Sequence, residues 1–260
     1  MLDFIAKARN CDVAGALRFV EQRMGIARAP ATPEHRQLAK WPELRRGNAS
    51  ELASLNKERG FAFAAMHDAE ARGLLHFGTQ WGCGFWAVTD SRRALIELRR
   101  ITGEPWRAFG RLPERKAHCI GTGKNWPVGI VESEPFPKVV FCEGAPDLLA
   151  CLSLAYAEGK TETIAPIAML GAAAQTIAAE ALHYFKGKHV RLFPHVDAAG
   201  WKVLRIWARQ IKDAGATKVD AFDLSGLFRD DGKPGKDLSD LCRVDQNCFE
   251  AQRKFWELLP

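Results

Sequence analysis

Acidic side chains in three separate segments of this 260-residue chain could share one cation. Glu143 and Asp147 stand in CEGAPD after an apolar run, Asp197 follows another run in LFPHVDAAG, and Asp237 and Asp240 stand in GKDLSDL. Carboxylates gathered at one place repel one another unless a cation lies between them, and oxygen ligands suit Mg²⁺ or Mn²⁺. The pattern predicts a divalent metal site that can also bind substrate phosphate.

The second half of the chain must supply the elements that bring these acids together. Short apolar runs predict strands, and the segments between them have helical spacing. The predicted strands cover 138–142, 163–170, 189–194 and 218–224, and the predicted helices cover 146–159, 172–185 and 200–215. This alternation predicts an α/β fold with a parallel sheet and helices on both of its faces. Ligands of such sheets bind beyond the carboxyl ends of the strands, where Glu143 and Asp197 stand.

The first half of the chain has a different pattern and predicts a separate, mostly helical subdomain with a small sheet. Helical spacing or capping signals predict helices at 4–24, 48–60 and 91–101, and a further helix that starts at 62 and stops at Gly73. Alternating residues predict a strand at 84–90, and the Gly- and Pro-rich stretch 103–130 predicts irregular sheet and loop. A composition shift at 132–138 gives two predicted domains, 1–135 and 136–260.

Charge is divided unevenly between the halves. Residues 1–130 hold 21 Lys/Arg and 13 Asp/Glu, whereas residues 131–260 hold 16 and 18. A basic half with many aromatic residues, among them Trp81 and Trp106, is typical of a nucleic-acid surface with stacking platforms. The alternative is that the arginines form a solvated face and the rings fill a core. The candidate nucleic-acid contacts are Arg92, Arg93, Arg99, Arg100, Lys116 and Lys124.

The three acidic segments together resemble the Toprim domain of bacterial-type primases, type IA and II topoisomerases and OLD-family nucleases. Its pattern is E-G-x-x-D after a first strand, D-x-D-x-x-G after a third, and then K-D-x-x-D. This chain has EGAPD, HVDAAG and KDLSD in that order, over residues 137 to 242. The resemblance implies a Toprim-type parallel sheet preceded by a basic subdomain like that of bacterial and phage primases.

The same resemblance implies roles for individual residues. Glu143 is expected to act as general acid or base or to organise metal, and Lys236 to meet phosphate. The expected ligands of Mg²⁺ or Mn²⁺ are Glu143, Asp147, His195, Asp197, Asp237 and Asp240, with Asp197 and Asp237 the direct ones. Two of the acids have structural alternatives, because Asp147 and Asp240 could each simply favour the first turn of a helix.

His195 departs from the pattern, because it stands where the family has the first Asp of D-x-D. A neutral imidazole ligates Mn²⁺ or Zn²⁺ but suits Mg²⁺ poorly. The site could use fewer or softer metals, His195 could move protons, or catalysis could be lost. The structural alternative is a histidine hydrogen-bonded at a strand end. The chain also lacks the zinc-ribbon module that precedes the core of bacterial primases.

The function expected from these features is metal-dependent nucleotidyl transfer of primase type. Its partners would be a single-stranded DNA template and nucleoside triphosphates, with a replicative helicase as a candidate partner. One alternative is a Toprim nuclease of the OLD type, associated with mobile elements or defence. The other is a nucleic-acid-binding module without strong catalysis, which the substitution at His195 favours.

Cysteine spacing and hydropathy set the expected location. The seven cysteines contain no C-x-x-C pair and are expected to be reduced and buried. No apolar stretch reaches the roughly 18 residues that a membrane span needs, and no secretory signal pattern opens the chain. The expected location is therefore the cytoplasm, without membrane contact.

Overall fold

The computed structural model describes residues 41–108, 110, 112–123, 125–171, 175–243 and 258–260, together with Lys7 and Val20. The chain divides into two units, Met1–Lys40 and Trp41–Pro260. The second unit contains the elements that position the candidate site. Apart from Lys7 and Val20, the helix predicted at 4–24 lies outside the described residues. The predicted domain boundary near residue 135 stays a prediction.

From residue 41 onward, two helices precede the first sheet, α1 (Ala49–Arg59) and α2 (Phe63–Ala71). The Asn48 side chain accepts a hydrogen bond from the backbone N–H of Glu51 at 3.0 Å, and the Glu51 carboxylate accepts one from the N–H of Asn48 at 2.9 Å. This capping box satisfies two amides at the start of α1. Both helices confirm the sequence prediction.

The first sheet is antiparallel, in the order β1-β2-β3-β4. Its strands are β1 (Leu75–Gln80), β2 (Cys83–Val88), β3 (Leu95–Arg100) and β4 (His118–Gly121). The prediction of a helix at 91–101 was wrong, because most of that segment forms β3. Leu95 packs into the main hydrophobic core while Ile96 and Leu98 pack into a second cluster, so the strand buries both faces. The spacing of Leu95 and Leu98 imitates one helical stripe.

The second sheet has five strands in the order β5-β7-β6-β8-β9. They are β5 (Pro127–Val128), β6 (Lys138–Glu143), β7 (Ile164–Met169), β8 (His189–Leu192) and β9 (Lys218–Ala221). β6, β7, β8 and β9 run parallel to one another, and β5 pairs antiparallel with β7. The four parallel strands are those predicted, and the fold is mixed α/β.

Helices connect the parallel strands. α3 (Ala145–Ala157) joins β6 to β7, and α4 (Ala198–Asp213) joins β8 to β9. Because the two connections run in opposite directions along the sheet, right-handed crossovers place α3 and α4 on opposite faces. The amphipathic α4 buries Leu204, Trp207 and Ile211 on one stripe.

The predicted helix at 172–185 was only partly right. Residues 172–174 lie outside the described part, and a 3₁₀ helix covers only Ala179–Phe185. Gln210 on α4 explains the late start, because its side chain accepts a hydrogen bond from Ile177 N–H at 2.9 Å and donates one to Ile177 O at 3.2 Å. These bonds divert the backbone before the 3₁₀ helix. A second 3₁₀ helix covers Leu238–Arg243 and has Asp240 in its first turn.

One main hydrophobic core links both sheets. It runs from Leu52 on α1 to Leu259 and includes Trp86 on β2 and Phe141 on β6. Among the described cysteines, all five are free thiols, of which Cys142 and Cys151 are buried. Within the same described residues, no helix has the length and apolar character needed to cross a membrane.

Candidate functional site

The candidate site lies where the strand order reverses. From β6 the chain crosses to β7 on one side, and from β8 it crosses to β9 on the other. A crevice therefore opens beyond the carboxyl ends of β6 and β8, the place where open α/β sheets bind ligands. Glu143 is the last residue of β6, and His195 follows three residues after β8.

Two glycines shape the backbone at this crevice. Gly144 turns the chain from β6 into α3 with φ +88°, a left-handed conformation that side chains disfavour. Gly200 lies in the first turn of α4, where a Cβ atom would come within 2.6 Å of the carbonyl oxygen of His195. Glycine at 200 therefore lets α4 pack directly against the His195 backbone.

A charged cavity of about 620 Å³ occupies the crevice. Its acidic lining residues are Glu58, Glu143, Asp147, Asp237 and Asp240, and its basic lining residues are Arg59, Arg99, Lys116, Arg229, Lys233, Lys236 and Arg243. His195 also lines it. We call this set the charged cavity. Seven cationic groups and five carboxylates thus line one opening, so positive side chains are in excess there.

His195 lies between two of the predicted acids. Its Nε2 atom is 3.4 Å from Asp147 Oδ2, and its Nδ1 atom is 3.9 Å from Glu143 Oε2. The Asp147 side chain is only 2% exposed, whereas that of His195 is 37% exposed. The imidazole therefore connects a buried carboxylate to the cavity.

The electrostatics of this pair depend on burial. Desolvation, with a contribution from the nearby Asp237, raises the pKa of Asp147 to about 7. The hydrogen bond to Asp147 raises the pKa of His195 to about 9, although burial opposes it. The carboxylates of Asp147, Glu143 and Asp237 all act to raise the pKa of His195, and the first two lie within 4 Å of its ring. This raised pKa favours the imidazolium form at neutral pH.

The KDLSD segment closes the cavity on the other side. Asp147 Oδ1 accepts a hydrogen bond from Ser239 N–H at 2.8 Å, which ties this segment to the start of α3. Asp237 Oδ1 accepts from Ser239 Oγ at 2.8 Å and from Asp240 N–H at 3.0 Å. Asp240 accepts from Arg229 Nη1 at 3.0 Å and from Lys236 N–H at 2.9 Å. Each carboxylate thus has a partner within the protein.

These contacts bear on the predicted metal ligands. Both oxygens of Asp147 and of Asp240 already accept hydrogen bonds or face His195. Across the part of the chain that the structure describes, no three His, Cys, Asp or Glu side chains are grouped to hold a metal ion. In this arrangement the imidazole of His195 lies between the carboxylates of Glu143 and Asp147. Mg²⁺ or Mn²⁺ as cofactor stays a prediction.

Asp197, predicted as a direct ligand, is not among the residues that line the charged cavity. It is the N-cap of α4, and its Oδ1 atom accepts a hydrogen bond from Gly200 N–H at 2.7 Å. A carboxylate at this position stabilises the helix start. Asp147 and Asp240 also occupy first turns, as their structural alternatives predicted, yet both line the cavity. The structure thus brings together five of the six predicted ligands.

The predicted nucleic-acid contacts separate into several places. Arg99 and Lys116 line the charged cavity. Arg100 lines a different, aromatic pocket, and Arg92 stacks on Trp126 with its guanidinium 3.8 Å from the ring centroid. Arg93 lies in a turn with φ +50°. Lys124 lies outside the described residues.

Several functional candidates escaped the sequence analysis. Arg59, Arg229 and Arg243 line the charged cavity, although each comes from a segment without a strand end or motif. Burial, together with the neighbouring Arg99, lowers the pKa of Arg59. These arginines are identified as candidates because they lie close to other cationic side chains around one cavity, and the sequence alone does not show this proximity.

Comparison with known proteins gives little beyond the fold. The chain matches no protein-family model and none of the curated proteins. Among solved structures, it is similar to the primase fragment of the bacteriophage T7 primase-helicase protein, with a TM-score of 0.49 and 16% sequence identity. That similarity covers 77% of this chain and 73% of the other. A likeness of this size does not identify a function.

Proposed function

We propose that the protein is a Toprim protein of primase type that binds single-stranded DNA and nucleoside triphosphate in the charged cavity and transfers nucleotidyl groups there. The carrying observation is that Glu143, His195 and Asp237, from three separate segments, line one cavity together with seven Lys and Arg residues. Two of the three motifs stand at the ends of β6 and β8, and the third runs into the 3₁₀ helix Leu238–Arg243, an order that supports the proposal.

Phosphate binding is the first part of the proposal. The cationic side chains exceed the acidic ones along the cavity wall, and Lys116 and Lys236 are exposed. Phosphate oxygens of a DNA strand would displace counterions as they meet these groups, so binding would weaken with salt. Arginine forks add geometric selectivity for phosphate.

Nucleotidyl transfer is the second part. In this proposal the 3′-hydroxyl oxygen of a growing chain attacks the α-phosphorus of the triphosphate, and the hydroxyl proton passes to Glu143. The bond between the α-phosphorus and the pyrophosphate oxygen breaks, and pyrophosphate leaves. The His195 imidazolium and Lys236 stabilise the negative charge on the transferring group.

A second candidate is nucleic-acid binding without catalysis. The position of His195 between Glu143 and Asp147 favours it, because a cation of the chain replaces the negative side chain that the Toprim pattern has there. In this case the charged cavity would hold phosphate and the acids would only position the basic groups.

The test compares extension and cutting on one DNA. The protein is incubated with a single-stranded template, a primer, nucleoside triphosphates and Mg²⁺ or Mn²⁺, and products are separated by length. We expect products longer than any input. Glu143→Gln should abolish them, and Glu162→Gln, at an exposed position in the turn before β7, should not.

Three other results would point elsewhere. Shortened DNA that depends on Glu143 would replace the transferase with a nuclease. Salt-sensitive DNA binding with no change in DNA length would support the binding module. Absence of any DNA binding would overturn the proposed function altogether.

A further inference from the structure

A second pocket, of about 500 Å³, lies on the antiparallel sheet. It is lined by Trp81, Cys83, Arg100, Trp106, Arg107 and Ala108, and we call it the aromatic pocket. Trp106 is buried at 2% exposure, whereas Trp81 is 49% exposed. The Trp81 ring centroid lies 5.6 Å from that of Trp106 and 5.0 Å from that of His118. Trp81 is thus held by an edge contact with Trp106 and a tilted contact with His118, and about half of its surface is exposed.

The backbone at Trp81 is unfavourable for a tryptophan. Trp81 and Gly82 form the two-residue turn between β1 and β2, with φ +51° and +74°. Positive φ at both turn positions is the type I′ pattern, for which Asn-Gly is preferred. A bulky residue at positive φ costs folding free energy, and such strain is often kept for function. Hairpin formation therefore does not explain why residue 81 is tryptophan.

The charges near the aromatic pocket select its occupant. Arg100 pairs with Glu104 at 2.6 Å, while Arg107 is exposed. Among the described residues, none that lines this pocket is acidic. Arg99 and Arg100 are consecutive on β3 and so point to opposite faces of the sheet, Arg99 into the charged cavity and Arg100 into the aromatic pocket. A half-exposed indole ring beside an exposed guanidinium fits a flat aromatic group attached to a phosphate chain.

We propose that the aromatic pocket binds a nucleobase of single-stranded nucleic acid, which stacks on Trp81 while Arg107 contacts an adjoining phosphate. This inference rests on the proposed function, because the same strand would continue into the charged cavity. Stacking tolerates any base, so the pocket would hold a strand without reading its sequence.

The test uses Trp81→Asn, which gives the turn its preferred Asn-Gly pair. Binding of a labelled oligo(dT) and of an abasic strand of equal length is measured by fluorescence anisotropy. We expect the wild-type protein to bind oligo(dT) more tightly than the abasic strand. Trp81→Asn should weaken oligo(dT) binding by about 5- to 100-fold and leave abasic-strand binding unchanged. Its melting temperature should equal or exceed that of the wild type.

Phe63 supplies the matched control. It is an aromatic residue of similar exposure, 47%, that does not line the pocket, and Phe63→Ala should leave both affinities unchanged. Equal oligo(dT) binding by Trp81→Asn and the wild type would overturn the nucleobase site and leave the charged cavity's function standing. Loss of self-association in Trp81→Asn, with DNA affinity intact, would make a second copy the occupant. Failure of the wild type to bind either strand would overturn both proposals.

Discussion

Asp147, in the first turn of α3, and Asp220, on β9, have pKa values that are shifted in opposite directions. Asp220 on β9 accepts hydrogen bonds from Arg191 Nε at 2.8 Å and Nη2 at 3.1 Å. His189 Nε2 lies 2.9 Å away and Lys218 Nζ 3.0 Å away. Burial alone would raise the pKa of Asp220, but these three neighbours hold it well below its usual range. Asp147 has one cation, at 3.4 Å, and a raised pKa.

The difference separates a structural carboxylate from a functional candidate. Asp220 is compensated completely by its neighbours on β8 and β9, so its contacts serve stability. Asp147 is more deeply buried and less well paired, and it stands at the sheet edge where ligands bind. The same residue type thus stabilises the fold in one place and prepares a site for charge in the other.

The contrast is tested most strongly by removing one carboxylate at the charged cavity and one on β9, and comparing the nucleotidyl-transfer rates of the two variants. Glu143→Gln should lower nucleotidyl transfer by about 10²- to 10⁴-fold, because it removes the proton acceptor. Asp220→Asn should leave the rate per folded molecule near that of the wild type. Equal loss in both variants, measured by primer extension with folded-protein concentration determined by circular dichroism, would contradict the assignment.

For the free energy of unfolding we expect the opposite ranking, with a larger effect from Asp220→Asn than from Glu143→Gln. Asp220→Asn should lower the free energy of unfolding by about 1.5–3 kcal/mol, because it removes hydrogen bonds to charged groups. Urea denaturation measures this loss. Asp213→Asn, at an exposed position on α4, is the control and should change it little.

The loss of stability in Asp220→Asn should depend on pH. Because the pKa of Asp220 is lower in the folded protein than in the unfolded chain, its contribution is present above the unfolded value and is lost as the pH falls. The difference between wild type and Asp220→Asn should therefore shrink from about pH 5 to about pH 2. A difference that stays constant over this range would contradict the ionic origin of the effect.

His195 offers a smaller test of the site's electrostatics. The imidazole of His195 lies between Glu143 and Asp147, where a metal ion would have to bind. His195→Asp should free this position and add carboxylate oxygen ligands for the metal. We expect Mn²⁺ to bind this variant about tenfold or more tightly than the wild type, as measured by electron paramagnetic resonance. His195→Asn, which removes the cation without adding a carboxylate, is the control. Tight Mn²⁺ binding by the wild type at Glu143 and Asp147 would show that His195 does not exclude metal.

Much of the parallel sheet could be predicted from the sequence, and physical reasons explain what could not. The runs at 138–142 and 189–194 are short, apolar and followed by turn residues, so they identified β6 and β8. Leu95 packs into one hydrophobic cluster, and Ile96 and Leu98 pack into another. Local spacing in the sequence does not show that a strand is buried on both faces, so β3 was predicted as a helix. In the same way, Asp197 follows a strand in sequence, but its side chain caps α4. Strand-end position predicted the crevice, while side-chain direction decided which acids enter it.

The central claim, that the charged cavity binds nucleic-acid phosphate, is tested most directly by the salt dependence of single-stranded DNA binding. Each phosphate contact contributes about −0.7 to the slope of log K against log salt for single strands. Lys116→Gln with Lys236→Gln should therefore flatten the slope by about 1.4. Lys186→Gln with Lys212→Gln, two exposed lysines that do not line the cavity, should leave it unchanged. Equal slopes for the wild type and the cavity variant, or equal flattening in both double variants, would contradict the claim.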